Sequence, residues 1–201
     1  MNPDDDTRAR LRRTLRARRA AEPPEARARD TARIATNLLA HPRFLRLGSL
    51  AAYLADEGEP DLGPLLDQAH RHGIGLYLPV PSGRVLRFLR WSPGAPLHPG
   101  RFGIPVPEDG EPINPADLDW VLVPLVAFTA RGDRLGRGGG FYDRTFARHS
   151  PDRPPLLVGI AYAWQEMARL PRAPWDVALD AVVTPDGWRT CGKTGERESG
   201  R

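Results

Sequence analysis

The densest chemistry in this 201-residue chain lies in one run of residues 131–143, where Arg134, Leu135, Gly136, Arg137, Gly138, Gly139, Gly140, Phe141, Tyr142 and Asp143 follow Arg131-Gly-Asp. Glycines let a backbone come close to a ligand and aim its N–H groups at it. Arg134 and Arg137 add permanently charged guanidinium forks suited to phosphate oxygens. Asp143 supplies the hard carboxylate oxygen that a magnesium ion on a phosphate requires. The run is neither a Walker loop nor a dinucleotide fingerprint: after Gly136 and Gly138, the third glycine of G-x-G-x-x-G would fall on Phe141. By composition, a glycine-rich turn with surface arginines is an equally simple reading.

A second candidate lies near the start. Arg8 to Arg19 holds seven arginines and no acid. A helix over residues 7–20 sets Arg8, Arg12, Arg16 and Arg19 on one stripe at 3- and 4-residue spacing, with Leu11 and Leu15 one turn apart. Three readings stay open: a solvated face, a nucleic-acid surface, or one or two arginines reaching a bound phosphate. Of the 29 basic residues only Lys193 is lysine, and there are 22 prolines. That bias fits GC-rich coding and lowers the weight of arginine abundance as such.

A third match is a decoy. Gly187-Trp-Arg-Thr-Cys-Gly-Lys-Thr194 satisfies G-x-x-x-x-G-K-[ST] letter for letter. A phosphate loop needs a helix after its Lys-Thr so that the dipole faces the phosphates. Seven polar residues, two of them glycine, follow Thr194, and the match is rejected.

The surrounding elements must position these residues. Pro24 to Ala40 reads as a helix burying Ile34, Leu38 and Leu39, ended by Pro42. Residues 47–54 read as a buried strand, 56–60 as a turn, and Asp61 as the cap of a helix carrying Leu62, Leu65, Leu66 and Ala69. Residues 74–79 read as a strand stopped by Pro79 and Pro81, and Val85 to Trp91 as another. Residues 92–117 read as a long surface excursion through Phe102-Gly-Ile-Pro105. The apolar strand Trp120 to Pro124 leads through Ala127 and Phe128 into the glycine loop, and a helix over 141–148 follows. Residues 156–161 and 181–184 are further strands, with a helical stretch at 163–168. Strands apolar on both faces, alternating with helices, imply a layered α/β domain with a mainly parallel central sheet. It spans residues 7–190, with 1–6 and 191–201 as flexible tails. No apolar run approaches the roughly 20 residues a membrane span requires. The acidic start carries no secretory signal, and the single Cys191 fits a reducing, cytoplasmic setting.

Leu122-Val-Pro124, Ala127-Phe128 and Arg134 to Asp143, in this order and spacing, resemble the signature of the 5-formyltetrahydrofolate cyclo-ligases, also called 5,10-methenyltetrahydrofolate synthetases. Weaker agreement includes the basic helix, Tyr53-Leu54 with Gly58-Glu59, Leu78-Pro79, Gly103-Ile104-Pro105 and residues 176–184, so that residues 7–185 are covered. The resemblance implies a single three-layer α/β/α domain with a mainly parallel central sheet, and an enzyme that uses ATP and Mg2+ to convert 5-formyltetrahydrofolate into 5,10-methenyltetrahydrofolate, releasing ADP and phosphate. Phosphorylating the formyl oxygen turns a poor leaving group into a good one, and N10 then attacks the carbon. Such a reaction needs charge clamps and positioning more than a protein nucleophile.

Carried over position by position, the resemblance assigns ATP to Arg8, Arg12 and the loop from Arg134 through Leu135, Gly136, Arg137, Gly138, Gly139, Gly140 and Phe141 to Tyr142. The folate falls to Leu54, Glu59 and the loop from Arg137 to Tyr142. Arg134, Arg137 and Tyr142 take catalytic roles, and Asp143 and Asp180 bind the metal. The sequence departs from the family where lysine is usual at Arg8, tyrosine at Phe141, lysine or glycine at Gly139, and histidine at Trp175. Composition alone reads Glu59, beside Asp56 and Glu57, as solvated, and Asp180 as a cap before a strand. The expected partner is 5-formyltetrahydrofolate, a small-molecule substrate, bound by a monomer, with no nucleic acid and no membrane. The rival readings are a nucleic-acid binder, which would lack stacking aromatics because residues 1–40 contain none, and a sugar-phosphate isomerase or transferase needing no ATP.

Overall fold

The computed structural model describes residues 3–192. Helix α1 (Pro3–Ala21) carries the arginine stripe, and α2 (Pro24–Leu39) follows with proline at its start. Next come β1 (Ser49–Ala51), α3 (Gly63–Arg71), β2 (Gly75–Ser82) and β3 (Val85–Trp91). The short strands β4 (Leu97–Pro99), β5 (Pro105–Pro107) and β6 (Pro112–Ile113) precede β7 (Trp120–Pro124). The chain then forms β8 (Ala127–Phe128), β9 (Arg134–Leu135) and α4 (Phe141–Thr145), and ends in β10 (Leu156–Ile160), β11 (Ala181–Thr184) and β12 (Gly187–Thr190).

Eight strands form one sheet in the order β12-β11-β10-β7-β1-β2-β3-β6. The five strands from β11 to β2 run parallel; β12 pairs antiparallel at one edge, and β3 then β6 add by antiparallel pairing at the other. The mainly parallel α/β sheet expected from the sequence is present. Its central strand reads Trp-Val-Leu-Val-Pro because an interior parallel strand is covered on both faces. Leu50, Trp120, Leu122, Val158 and Val183 pack under α2 and α3 through Ile34, Leu38, Leu65 and Leu66. Val121, Val123, Leu157 and Val182 face the other way, against Phe88, Phe146 and Leu179. That second layer is thin: among the described residues its α-helix is the five-residue α4. Helix α1 lies outside both layers and sets Leu11 and Leu15 on Val126, Ala127 and Leu135. No helix among the described residues is long and apolar enough to cross a membrane.

Several expectations are corrected. Residues 3–6 are helical rather than a tail, continuing α1 toward its start. Strand β2 runs through Pro79 and Pro81 instead of stopping. Opposite Pro81, Leu86 gives its N–H to the Thr145 hydroxyl rather than across the ladder. Both prolines therefore sit at non-hydrogen-bonded positions, where a missing N–H costs nothing. Residues 92–117 are not structureless, since β4 and β5 pair as a hairpin and bury Val106. Helix α4 ends at Thr145, whose hydroxyl bonds back to the Phe141 carbonyl and competes with further helix. The stretch at 163–168 shrinks to a 3-10 turn over Ala163–Gln165. The decoy motif begins as strand β12, hairpinned onto β11; Cys191, the first residue of the expected tail, gives its N–H to the Asp180 carbonyl, and Lys193, Thr194 and residues 195–201 lie outside the described residues.

The base of the glycine loop is pinned at Gly132. Its φ of +89° lies in the left-handed region, and an added Cβ would collide with the Leu179 carbonyl oxygen and press on the Cys191 Cβ. Gly132→Ala is therefore expected to destabilise the fold by about 2 kcal/mol or more, read as a lowered denaturation midpoint at unchanged slope.

Candidate active site

A cleft of about 550 Å³ opens over the carboxyl ends of β1 and β7 and along β2. In open α/β sheets this is the end where ligands bind. Its walls differ in chemistry. One is apolar, built from Leu54, Leu78, Pro79, Leu86, Ile104 and Val106, so the β4–β5 hairpin that the sequence left as a loop supplies part of it. The other is the glycine loop facing α1. Arg8, Arg12, Arg16, Arg101, Arg134, Arg137 and Arg144 line the space together with Asp5, Glu59, Asp143 and Asp176.

The loop is held from both sides. Arg12 Nε donates to the Gly136 carbonyl at 2.8 Å, and Arg144 Nη2 donates to the Gly139 carbonyl at 2.5 Å. Gly138 has φ +108°, and a Cβ there would rest 3.6 Å from the Arg12 guanidinium. That contact is an ordinary one, so it is the left-handed backbone that calls for glycine here. The helix dipole expected behind the loop is minor, because α4 is barely one turn long.

Arg134 is the buried centre of the cationic wall. Its side chain is 5% exposed, and Nη2 holds Asp143 Oδ1 at 2.7 Å. The same Asp143 oxygen accepts the Val177 N–H at 3.1 Å. Arg134 Nε is buried without a hydrogen-bond partner, an orphaned donor that a bound anion would satisfy. The guanidinium lies 5.7 Å from the centre of the Tyr142 ring. Burial pushes the Tyr142 phenol well above its ordinary range despite Arg134, so it remains a neutral hydrogen-bond donor at any working pH.

The acidic turn at 56–59 is built differently from its composition. Glu57 is gripped by Arg16 and Arg137, and Arg137 Nη1 reaches Asp56 Oδ2 at 2.6 Å. Glu59 points inward, its side chain 3% exposed, with Arg19 Nη2 3.5 Å from Oε1. Neither of those two atoms completes a hydrogen bond. Burial raises the Glu59 carboxyl above its ordinary range, while Arg19 and Arg137 oppose the shift. Arg19 is itself almost fully enclosed and donates to the Glu57 and Leu125 carbonyls. Its place on the arginine stripe was the only sign of this in the sequence.

Arg8 forms a two-point pair with Asp176, at 2.6 and 3.1 Å, and also reaches the Pro171 carbonyl. Burial favours the neutral Asp176 carboxyl, yet the Arg8 hydrogen bond and the Ala173 N–H hold it below its ordinary range. A lowered folded value means that the pair stabilises the fold above the unfolded pKa, near 3.9 for aspartate. That contribution is lost as pH falls through the lower folded value. The stability gap between parent and Asp176→Asn, followed by far-UV circular dichroism, should therefore be full at pH 6 and shrink below about pH 4.

Two predicted residues do not join the cleft. Leu135 is fully buried in β9 under α1 and offers only backbone, its carbonyl accepting the Val126 N–H. Asp180 precedes β11 at the amino edge of the sheet, whereas the cleft sits at the carboxyl edge. Its carboxylate is spent on the His149 ring at 3.0 Å and the Leu157 N–H at 2.7 Å. Asp143 and Asp180 are therefore not a metal-ligating pair. Among the described residues, no group of three or more His, Cys, Asp and Glu is arranged to hold a metal. Asp143 does line the cleft and could give one carboxylate to a magnesium ion whose other ligands are phosphate and water, since Mg2+ commonly takes one or two carboxylates. Asp176, Arg144 and the hairpin wall are the site residues that local sequence reasoning missed.

The sequence profile of the 5-formyltetrahydrofolate cyclo-ligase family matches residues 4–185. The chain is 38% identical over 179 residues to the 5-formyltetrahydrofolate cyclo-ligase of Escherichia coli K12, covering 85% of this chain and 96% of that one. It is 32% identical over 204 residues to the mitochondrial cyclo-ligase of Arabidopsis thaliana, covering 88% and 73%. Among solved structures, the 5,10-methenyltetrahydrofolate synthetase of Aquifex aeolicus superposes with a TM-score of 0.82 at 36% identity, covering 96% of both chains.

Proposed function

This chain belongs to the 5-formyltetrahydrofolate cyclo-ligase family, and from that premise we propose that it closes 5-formyltetrahydrofolate to 5,10-methenyltetrahydrofolate at the cleft, spending ATP with Mg2+. The observation that carries the reading is the pairing of unlike walls, arginine and glycine facing an apolar surface, with Tyr142 and the orphaned Arg134 donor where they meet. ATP supplies a phosphoryl group that makes the formyl oxygen a leaving group, and magnesium neutralises phosphate charge.

The protein's part is positioning and electrostatics. Arg12 and the Gly136–Gly140 backbone cradle the phosphates, with Arg134 supplying the charge that meets the transferring group. Arg8, held on Asp176, adds its positive charge beside the phosphates. Arg137 spans from the loop to Asp56 and closes the cleft over the reactants. Tyr142 donates its phenolic proton in a hydrogen bond to the formyl oxygen. Leu54 packs on the pterin, and Glu59 accepts from the pterin N–H donors. A carboxylate already raised by burial gains most from such donors.

Appearance of methenyl absorbance from 5-formyltetrahydrofolate with Mg-ATP, and its absence without, tests the proposal. Well-folded protein that yields no ATP-dependent product refutes it. Glu59→Gln keeps the shape but loses the charge, so KM for the folate should rise at least tenfold, about 1.4 kcal/mol, while KM for ATP changes less than threefold. An equal rise in both would remove Glu59 from the folate subsite.

A further inference from the structure

Trp175 is 73% exposed, far more than any other large apolar side chain among the described residues, yet it lines the cleft. Its backbone is not loose. It sits in a turn closed by Asp176 N–H to the Ala173 carbonyl and by Ala173 N–H to the Asp176 carboxylate at 2.9 Å. The next residue, Asp176, is bound to Arg8 at two points. A rigid turn therefore holds a large aromatic ring at the rim beside the first arginine of the stripe.

Helix α1 serves as a ruler along the cleft. Arg19 marks one end by its contact with Glu59, and Arg8 marks the other by its contact with Asp176. Eleven residues at 1.5 Å each separate them by about 16 Å. Arg12, on the Gly136 carbonyl, lies between. If the ring system that meets Glu59 occupies the Arg19 end and the phosphates occupy the middle, whatever is attached beyond the phosphates arrives at the Arg8 end. In a nucleoside triphosphate that is the base. We propose that Trp175 is the stacking platform for the purine base of the nucleotide, and so a specificity-determining residue for the phosphate donor. The inference rests on the ATP-dependent reading above.

The test uses the full chain and three readouts. Trp175→Ala should raise KM for ATP about tenfold, the size of one base–aromatic stack, with the effect on KM rather than kcat. Trp175→Phe, which keeps a stacking face, should recover most of it. Inorganic tripolyphosphate has no base, so its inhibition constant should be the same in parent and Trp175→Ala. Quenching of tryptophan fluorescence by ADP in the parent should disappear in Trp175→Phe, although calorimetry still shows ADP binding. The idea is overturned if Trp175→Ala leaves KM for ATP unchanged, if the rise falls on the folate instead, or if tripolyphosphate weakens equally. Because ADP quenching needs no turnover, a parent protein inactive on the folate would sink the proposed reaction while the platform is still tested.

Discussion

Replacing Arg134 by alanine is expected to lower kcat about a hundredfold, roughly 2.7 kcal/mol of barrier. The guanidinium is nearly enclosed, and one fork atom is committed to Asp143 while Nε has no partner. A charge held this way needs no reorganisation when negative charge moves onto the transferred phosphoryl group, and it acts where water is scarce. The substitution also strands Asp143 in a half-buried position without its cation, which adds a stability loss of order 3 kcal/mol. Arg134→Lys separates the two effects. Lysine restores a cation for Asp143 but cannot bridge carboxylate and phosphate at fixed angles, so the fold should recover while kcat stays at least tenfold down. Steady-state rates alongside thermal melts check both. A folded Arg134→Ala protein turning over near the parent rate would show that the centre of the cationic wall is not where the reaction is stabilised.

Asp143→Asn is expected to cost at least tenfold in rate at low magnesium, about 1.4 kcal/mol, with partial recovery as magnesium is raised. Asparagine keeps an oxygen for the Arg134 guanidinium and the Val177 N–H, so the loop should remain in place and the lost quantity is charge on the metal. Asp143→Ala removes the anchor as well and should be the worse variant. The double variant Arg134→Ala, Asp143→Ala should cost much less than the two single losses combined, because the pair acts as one unit. A rate for Asp143→Asn that is normal at every magnesium concentration would leave Asp143 as an anchor for Arg134 and nothing more.

How much of this was legible beforehand depends on the range over which each feature is decided. The run Trp120 to Pro124 is legible as an interior parallel strand, because it is short, apolar at successive positions and rich in valine, as a strand covered on both faces must be. Helix α2 shows its buried Ile34 and Leu38 at helical spacing. The glycine loop is local too: its glycines, arginines and Asp143 are close in the chain and stay close in space. Rules of this kind fail where the outcome depends on a distant partner. Strand β2 survives Pro79 and Pro81 because its register with β3 puts both at non-hydrogen-bonded positions. Glu59 shares an acidic turn with Asp56 and Glu57, and its burial follows from Arg19, forty residues earlier in the chain and fully enclosed.

The sequence alone determined the class of fold, the loop and the side chains capable of holding a phosphate, because period, glycine placement and charge are properties of neighbouring residues. The tertiary structure decided which of those side chains share one volume. It brought Arg8 to Asp176 across 168 positions and turned Glu59 inward. It added the β4–β5 wall, and it sent Asp180 to the opposite edge of the sheet to serve His149 and Leu157. Charge pairing acts through space, and a sequence records order along the chain; only the packing of α1 across the carboxyl edge of the sheet converts one into the other.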